Sequence, residues 1–163
     1  MKDNKGFTLV ELLAVIAIIA ILGLIALEAI ESVNKGNKEK AENINRNGIL
    51  VSAVAYVPTS SVELPNSPTG SSGCTVYEYK KTGKTGSGST ICQVNLYLSY
   101  LVETGVLEED LSNPNAGKKL NLDSSYVSIV YLTNANDVST ERKDKGKFDG
   151  NYFYELHEVY AEG

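Results

Sequence analysis

Histidine is almost missing from this chain: 163 residues contain one, His157. Any Ser-His-Asp or Cys-His arrangement would depend on that single ring, and a histidine on a sheet face is the commoner fate. The carboxylates are dispersed, and Glu108-Glu109-Asp110 reads as an acidic turn beside a helix, so no catalytic arrangement remains and no enzyme is expected. Cysteine is limited to Cys74 and Cys92. Two sulfurs and a distant histidine do not make a metal site, and no cofactor is expected. An excess of positive charge is lacking too. The 15 Lys and Arg against 20 Asp and Glu leave a net charge of −5, and the bases are scattered or mixed with acids, as in Glu141-Arg142-Lys143-Asp144-Lys145. Neutralising phosphates needs clustered bases, so no direct nucleic-acid contact is expected. Gly83-Lys84-Thr85 and Gly86-Ser87-Gly88 lack the spacing and the following apolar helix of a phosphate-binding loop. Proline is held back until Pro58.

What the chain has instead is one long apolar run. Phe7 to Leu27 contains a single carboxylate, Glu11, behind a short charged leader. About twenty apolar residues cross a hydrocarbon core of roughly 30 Å as a helix. A carboxylate inside such a run costs about 2.5–3.5 kcal/mol at mid-membrane, so Glu11 needs a partner. The run is too long for the core of a secretory signal peptide, and no Ala-x-Ala-like site follows it. An ordinary signal anchor fits the length and leaves Glu11 unexplained.

Beyond Leu27 the composition turns polar, rich in Ser, Thr, Asn, Gly and Tyr. Nothing before Tyr56 forces a helix to stop, and fifty helical residues extend about 75 Å. Ile30, Val33, Ala41, Ile44, Val51 and Ala55 recur at spacings built from threes and fours, which implies one face packed against a head. Lys35, Lys38, Glu39, Lys40, Glu42 and Arg46 supply the polar face, while Gly36 and Gly48 are places to bend. Val57 to Gly73 is a turn-rich connection. Thr75 to Lys80 alternates as a strand does, and Tyr126 to Thr133 and Tyr152 to Tyr160 suit a half-buried pleated surface. Val94, Tyr97, Leu98, Leu101 and Val102 form a helical stripe ending before Gly105, which predicts a short helix over 94–104. An even number of cysteines in an exported head points to one Cys74–Cys92 disulfide, the alternative being two free thiols. The fold class is α+β: a long N-terminal helix packed against a small antiparallel sheet. Most of the ten tyrosines serve that sheet; Tyr152, Tyr154 and Tyr160 are candidates for a contact surface.

The stretch Lys5-Gly6-Phe7-Thr8-Leu9-Val10-Glu11-Leu12-Leu13 closely resembles the class III signal of type IV prepilins, over roughly Lys5 to Leu27. Beyond it there is a general likeness to pilin heads, and the sparse cysteines, Lys/Asn/Glu-rich head and short leader resemble clostridial pilins more than Gram-negative ones. In that family a dedicated aspartic peptidase cuts after the glycine on the cytoplasmic side and methylates the new terminal phenylalanine. The resemblance therefore implies a leader over 1–6, cleavage between Gly6 and Phe7, and N-methylation of Phe7. It further implies an apolar assembly helix over 7–28, an amphipathic half over 29–56 and a head over 57–163. Lys2 and Lys5 supply the positive flank that holds the leader inside the cell. Cleavage creates a cationic amine on Phe7, and a buried carboxylate is tolerable beside an opposite charge. The family pairs the amine of one subunit with the glutamate of its neighbour; the alternative is a pair formed within one chain by Glu11 and its own Phe7. Pilins of this family usually carry a proline where this chain has Glu28, so Gly23 becomes the candidate for a locally melted segment. Glu28 and Glu31 mark where the helix leaves the membrane.

The resemblance implies a structural subunit of a type IV pilus. It would be single-pass in the cytoplasmic membrane before assembly and part of an extracellular surface filament afterwards, serving adhesion, motility or biofilm formation. The implied partners are copies of itself and other pilins, the prepilin peptidase, an assembly ATPase and a membrane platform protein. Two other readings stay open: a minor pilin or pseudopilin of a secretion or DNA-uptake system, and a membrane-anchored binding protein that never polymerises.

Overall fold

The computed structural model describes residues 8–113 and 117–162. Its first element, α1 (Leu9–Tyr56), is a single helix of 48 residues. The helix runs continuously through Gly23, Gly36 and Gly48. A glycine costs about 1 kcal/mol relative to alanine, too little to interrupt so long a run of helix formers. Pro58 ends it, sitting in a 3₁₀ turn over Val57–Thr59. The chain forms two compact units, Met1–Lys40 and Ala41–Gly163, and α1 contributes to both.

In the second unit the strands are β1 (Thr75–Lys80), β2 (Gly83–Thr85), β3 (Ile91–Tyr97), β4 (Ser112–Asn113), β5 (Lys118–Lys119), β6 (Tyr126–Tyr131), β7 (Gly146–Asp149) and β8 (Tyr152–His157). Two short helices, α2 (Leu98–Glu103) and α3 (Thr140–Lys143), lie between them. Six strands form one sheet in the order β2-β1-β3-β6-β8-β7, and β4 and β5 make a separate two-stranded pair. The α+β architecture is the one expected. The sheet is mixed, however, not purely antiparallel, because β1 and β3 run parallel. β2 is the return limb that makes this possible: it hairpins back along β1, and residues 86–90 then carry the chain across to the other edge of β1. Gly86 makes the turn with φ +113°, and a Cβ there would lie 2.5 Å from the Tyr77 ring and 2.8 Å from the Val76 carbonyl oxygen. Tyr77 donates its hydroxyl to the Gly88 carbonyl at 2.6 Å, fastening the same crossing.

The expected helix over 94–104 divides in two. Val94 and Tyr97 belong to β3, and helix begins only at Leu98. The segment carries two patterns at once: Val94 and Leu96 point inward with period two, while Leu98 and Leu101 are buried with helical spacing. β3 pairs with strands on both sides, and those ladders decide the first half. Gly105 ends α2 as expected, with φ +74°. β7, unforeseen in the sequence, occupies part of the segment read as a charged loop.

The core also corrects the face expected of α1. Ile49, Leu50 and Ala53 of the helix are buried in one cluster with Val94, Leu96, Val127, Ile129 and Leu156 from the sheet, and Val54 and Tyr56 pack against it. Ile44 and Val51 are 70% and 49% exposed, and Ile30 and Val33 are exposed as well. The threes-and-fours pattern was real, but it marked the stripe that does not meet the sheet. On the sheet's opposite side Val130, Val138 and Phe153 form a smaller cluster. Arg142 of α3 lies over the Phe153 ring at 5.6 Å and donates to Glu155 at 2.6 and 3.0 Å. A polar network holds the C-terminal segment: Arg46 bonds Glu42 at 3.1 Å and Glu158 at 3.0 Å, and Glu158 accepts from the Tyr160 hydroxyl.

Cys74 and Cys92 form a disulfide with Cα atoms 5.5 Å apart, so the bridge and not the pair of free thiols is present. It ties the residue before β1 to β3 across the loop that contains β2. Closing a loop of this length constrains the unfolded chain by about 3 kcal/mol. Replacing both cysteines by serine should lower the stability of the detergent-solubilised chain by about that amount in denaturant titration. An unchanged midpoint would show that the crossing is held by Tyr77 and the strand ladders alone.

Candidate processing and assembly segment

The helix begins with a reciprocal cap. The backbone N–H of Thr8 donates to Glu11 Oε2 at 2.8 Å, the Thr8 hydroxyl donates to the same oxygen at 2.9 Å, and the Glu11 N–H donates to Thr8 Oγ1 at 3.3 Å. This is a capping box, in which a Ser or Thr and a Glu three residues later satisfy each other's backbone donors at a helix start. Its signal is the Thr8-Leu9-Val10-Glu11 spacing itself, a feature of the sequence separate from any charge pair. The carboxylate is used unevenly: both contacts from Thr8 fall on Oε2, and Oε1 accepts nothing from the described residues.

Downstream of the cap, α1 is apolar on every side. The helix is long and apolar enough to cross a membrane, and its most apolar stretch is not buried. The large apolar side chains described from Leu9 to Leu27 are 44–75% exposed. A helix hydrophobic all round and uncovered by its own chain belongs in lipid or against other apolar surfaces. In the second unit Ile44 and Val51 are spaced by seven residues and are uncovered, so an apolar stripe of α1 persists beside the polar network of Arg46. The expected cleavage between Gly6 and Phe7, the N-methylation of Phe7 and the Phe7 half of its pair with Glu11 lie outside the described residues.

The head offers little exposed chemistry. His157 stacks on Tyr126 with ring centroids 4.6 Å apart, and its Nε2 lies 3.0 Å from Ser128 Oγ. Burial, with help from the Arg142 charge, pulls its pKa below the usual histidine value, against the opposing pull of Glu155. Tyr154 is not a contact residue: it is 1% exposed in the core, and burial pushes its hydroxyl up to about 12. Tyr152 is half-buried against Tyr131, and the Tyr160 hydroxyl is occupied by Glu158 and Asn113. The tyrosines suggested as a contact surface thus mainly serve packing and the polar network.

A depressed histidine pKa means the folded chain resists a proton that the unfolded chain accepts. Stability is then full above the ordinary histidine value near 6.5 and falls as pH drops from there toward the lower folded value. Thermal melts between pH 7.5 and pH 5 should show this loss, and His157→Gln should flatten it. A variant as acid-sensitive as the parent would assign the slope to carboxylates.

Comparison with known proteins bears on the first part of the chain. Residues 1–27 match the family model described as the prokaryotic N-terminal methylation motif. No curated protein and no solved structure matches the chain. The motif is the class III signal of type IV pilins, and it implies processing by a prepilin peptidase and assembly with other pilins. The motif, the capped and exposed apolar run that follows it and the α+β head are together consistent with a prepilin-like protein.

Proposed function

We propose that this protein is a structural subunit of a type IV pilus. The peptidase cleaves between Gly6 and Phe7 and methylates Phe7. The mature chain waits in the cytoplasmic membrane on α1 and then polymerises through that helix into a surface filament. The observation that carries this reading is the pairing of a methylation motif with a long apolar helix that its own chain leaves uncovered. A receptor held by a simple anchor needs neither a carboxylate in its span nor the uncovered apolar positions Ile44 and Val51 beyond it. Polymerisation supplies a use for both: the carboxylate meets the cationic terminus of an adjoining copy, and the stripes bury one another.

An assembly ATPase and a polytopic platform protein are the machinery such a subunit needs, and adhesion, motility or biofilm formation are the activities a surface filament serves. A minor pilin or pseudopilin of a secretion or DNA-uptake system would use the same assembly chemistry. Copy number in sheared material separates these two readings, a major subunit dominating the preparation.

Mass spectrometry of sheared surface material should find a mature chain that begins with N-methylated Phe7. Glu11→Ala should remain at parental level in the membrane and be cleaved, yet lose about tenfold or more of its incorporation into filaments, since it removes a charge-assisted contact. Material beginning at Met1, or filaments of Glu11→Ala at parental yield, would overturn the assignment.

A further inference from the structure

We propose that Thr8 is a positioning residue for the Glu11 carboxylate, dividing its two oxygens between an internal cap and a neighbouring subunit. This rests on the polymerisation reading above and adds a residue to it. Both Thr8 donors, the backbone N–H at 2.8 Å and the hydroxyl at 2.9 Å, converge on Oε2. The return contact, Glu11 N–H to Thr8 Oγ1 at 3.3 Å, locks the hydroxyl so that it donates outward to the carboxylate. Oε1 is left without a partner among the described residues. The side chain is held by a two-point contact on Oε2.

This arrangement answers a difficulty in the membrane-held subunit. A carboxylate in an apolar helix needs donors before any neighbour arrives, and two donors from Thr8 supply them without consuming the whole group. When an adjoining copy brings its cationic amine, Oε1 accepts it while Oε2 stays capped. No bond to Thr8 has to break, and the carboxylate does not have to search rotamers. Fixing the acceptor in advance lowers the ordering cost of association. Threonine suits the task because its hydroxyl both donates and accepts, which the reciprocal geometry requires.

The test compares Thr8→Val, Thr8→Ser and Glu11→Ala in the full chain, with membrane level, N-terminal processing and sheared filament yield scored on the same cells. Valine keeps the shape and apolar character of the site but removes the hydroxyl; serine restores the hydroxyl. Thr8→Val should be cleaved and methylated at Phe7, reach the membrane at parental level, and yield about tenfold fewer filaments, the factor expected for one lost hydrogen bond to a charged group. Thr8→Ser should return the yield to within a few-fold of the parent. In the background of Glu11→Ala, Thr8→Val should cause no further loss, because the two side chains act through one group. Parental assembly of Thr8→Val, failure of Thr8→Ser to rescue, an additive loss in the double variant, or a block of Thr8→Val before cleavage would each overturn the proposal. Parental assembly of Glu11→Ala would instead sink the polymerisation reading on which it rests.

Discussion

A carboxylate in an apolar helix is the constraint around which this chain is organised. Glu11 is unfavourable in hydrocarbon unless donors or a cation meet it, and the sequence places Thr8 where a helix start can supply donors. Among the described residues the cap leaves one oxygen unused, and the large apolar side chains described from Leu9 to Leu27 are exposed. Both features are costs for an isolated molecule and become useful in an assembly. Residues 1–27 match the methylation motif, and under the proposed cleavage the new Phe7 amine would be the matching cation.

The second unit solves a separate problem, that of building a rigid body from a short, polar chain. It does so with a mixed sheet whose inner face meets Ile49, Leu50 and Ala53. The awkward step, a parallel pairing of β1 with β3, is secured by the disulfide, by the Tyr77 hydroxyl on the Gly88 carbonyl and by a glycine where a Cβ would not fit. The other side of the sheet is only partly covered, by α3 through Arg142 and by the small cluster around Phe153.

Much of this was legible in the residues. The absence of proline before Pro58 gave the length of α1, and alternation located β1, β6 and β8 within a few residues. The disulfide followed from cysteine parity in an exported head. Three things were misread for physical reasons. The apolar stripe through Ile44 and Val51 looked like a core face because helical spacing of apolar residues does not say what covers them, and in the structure they are exposed. Residues 94–97 satisfied a helical pattern and a strand pattern together, and only pairing with β1 and β6 separates them. β7 is a short edge strand with Lys147 and Asp149 in it, polar enough to pass for loop. The capping box is legible as a threonine and a glutamate three residues apart at the start of an apolar run.

The account turns on whether the free oxygen of Glu11 meets a terminus from another copy. Zero-length carbodiimide coupling of sheared filaments, followed by mass spectrometry of the N-terminal peptides, tests this directly. The account predicts a product in which Phe7 of one chain is joined through an amide to Glu11 of a second, seen as two linked N-terminal peptides. A product in which the only new amide lies within one peptide, closing Phe7 onto its own Glu11, would contradict it.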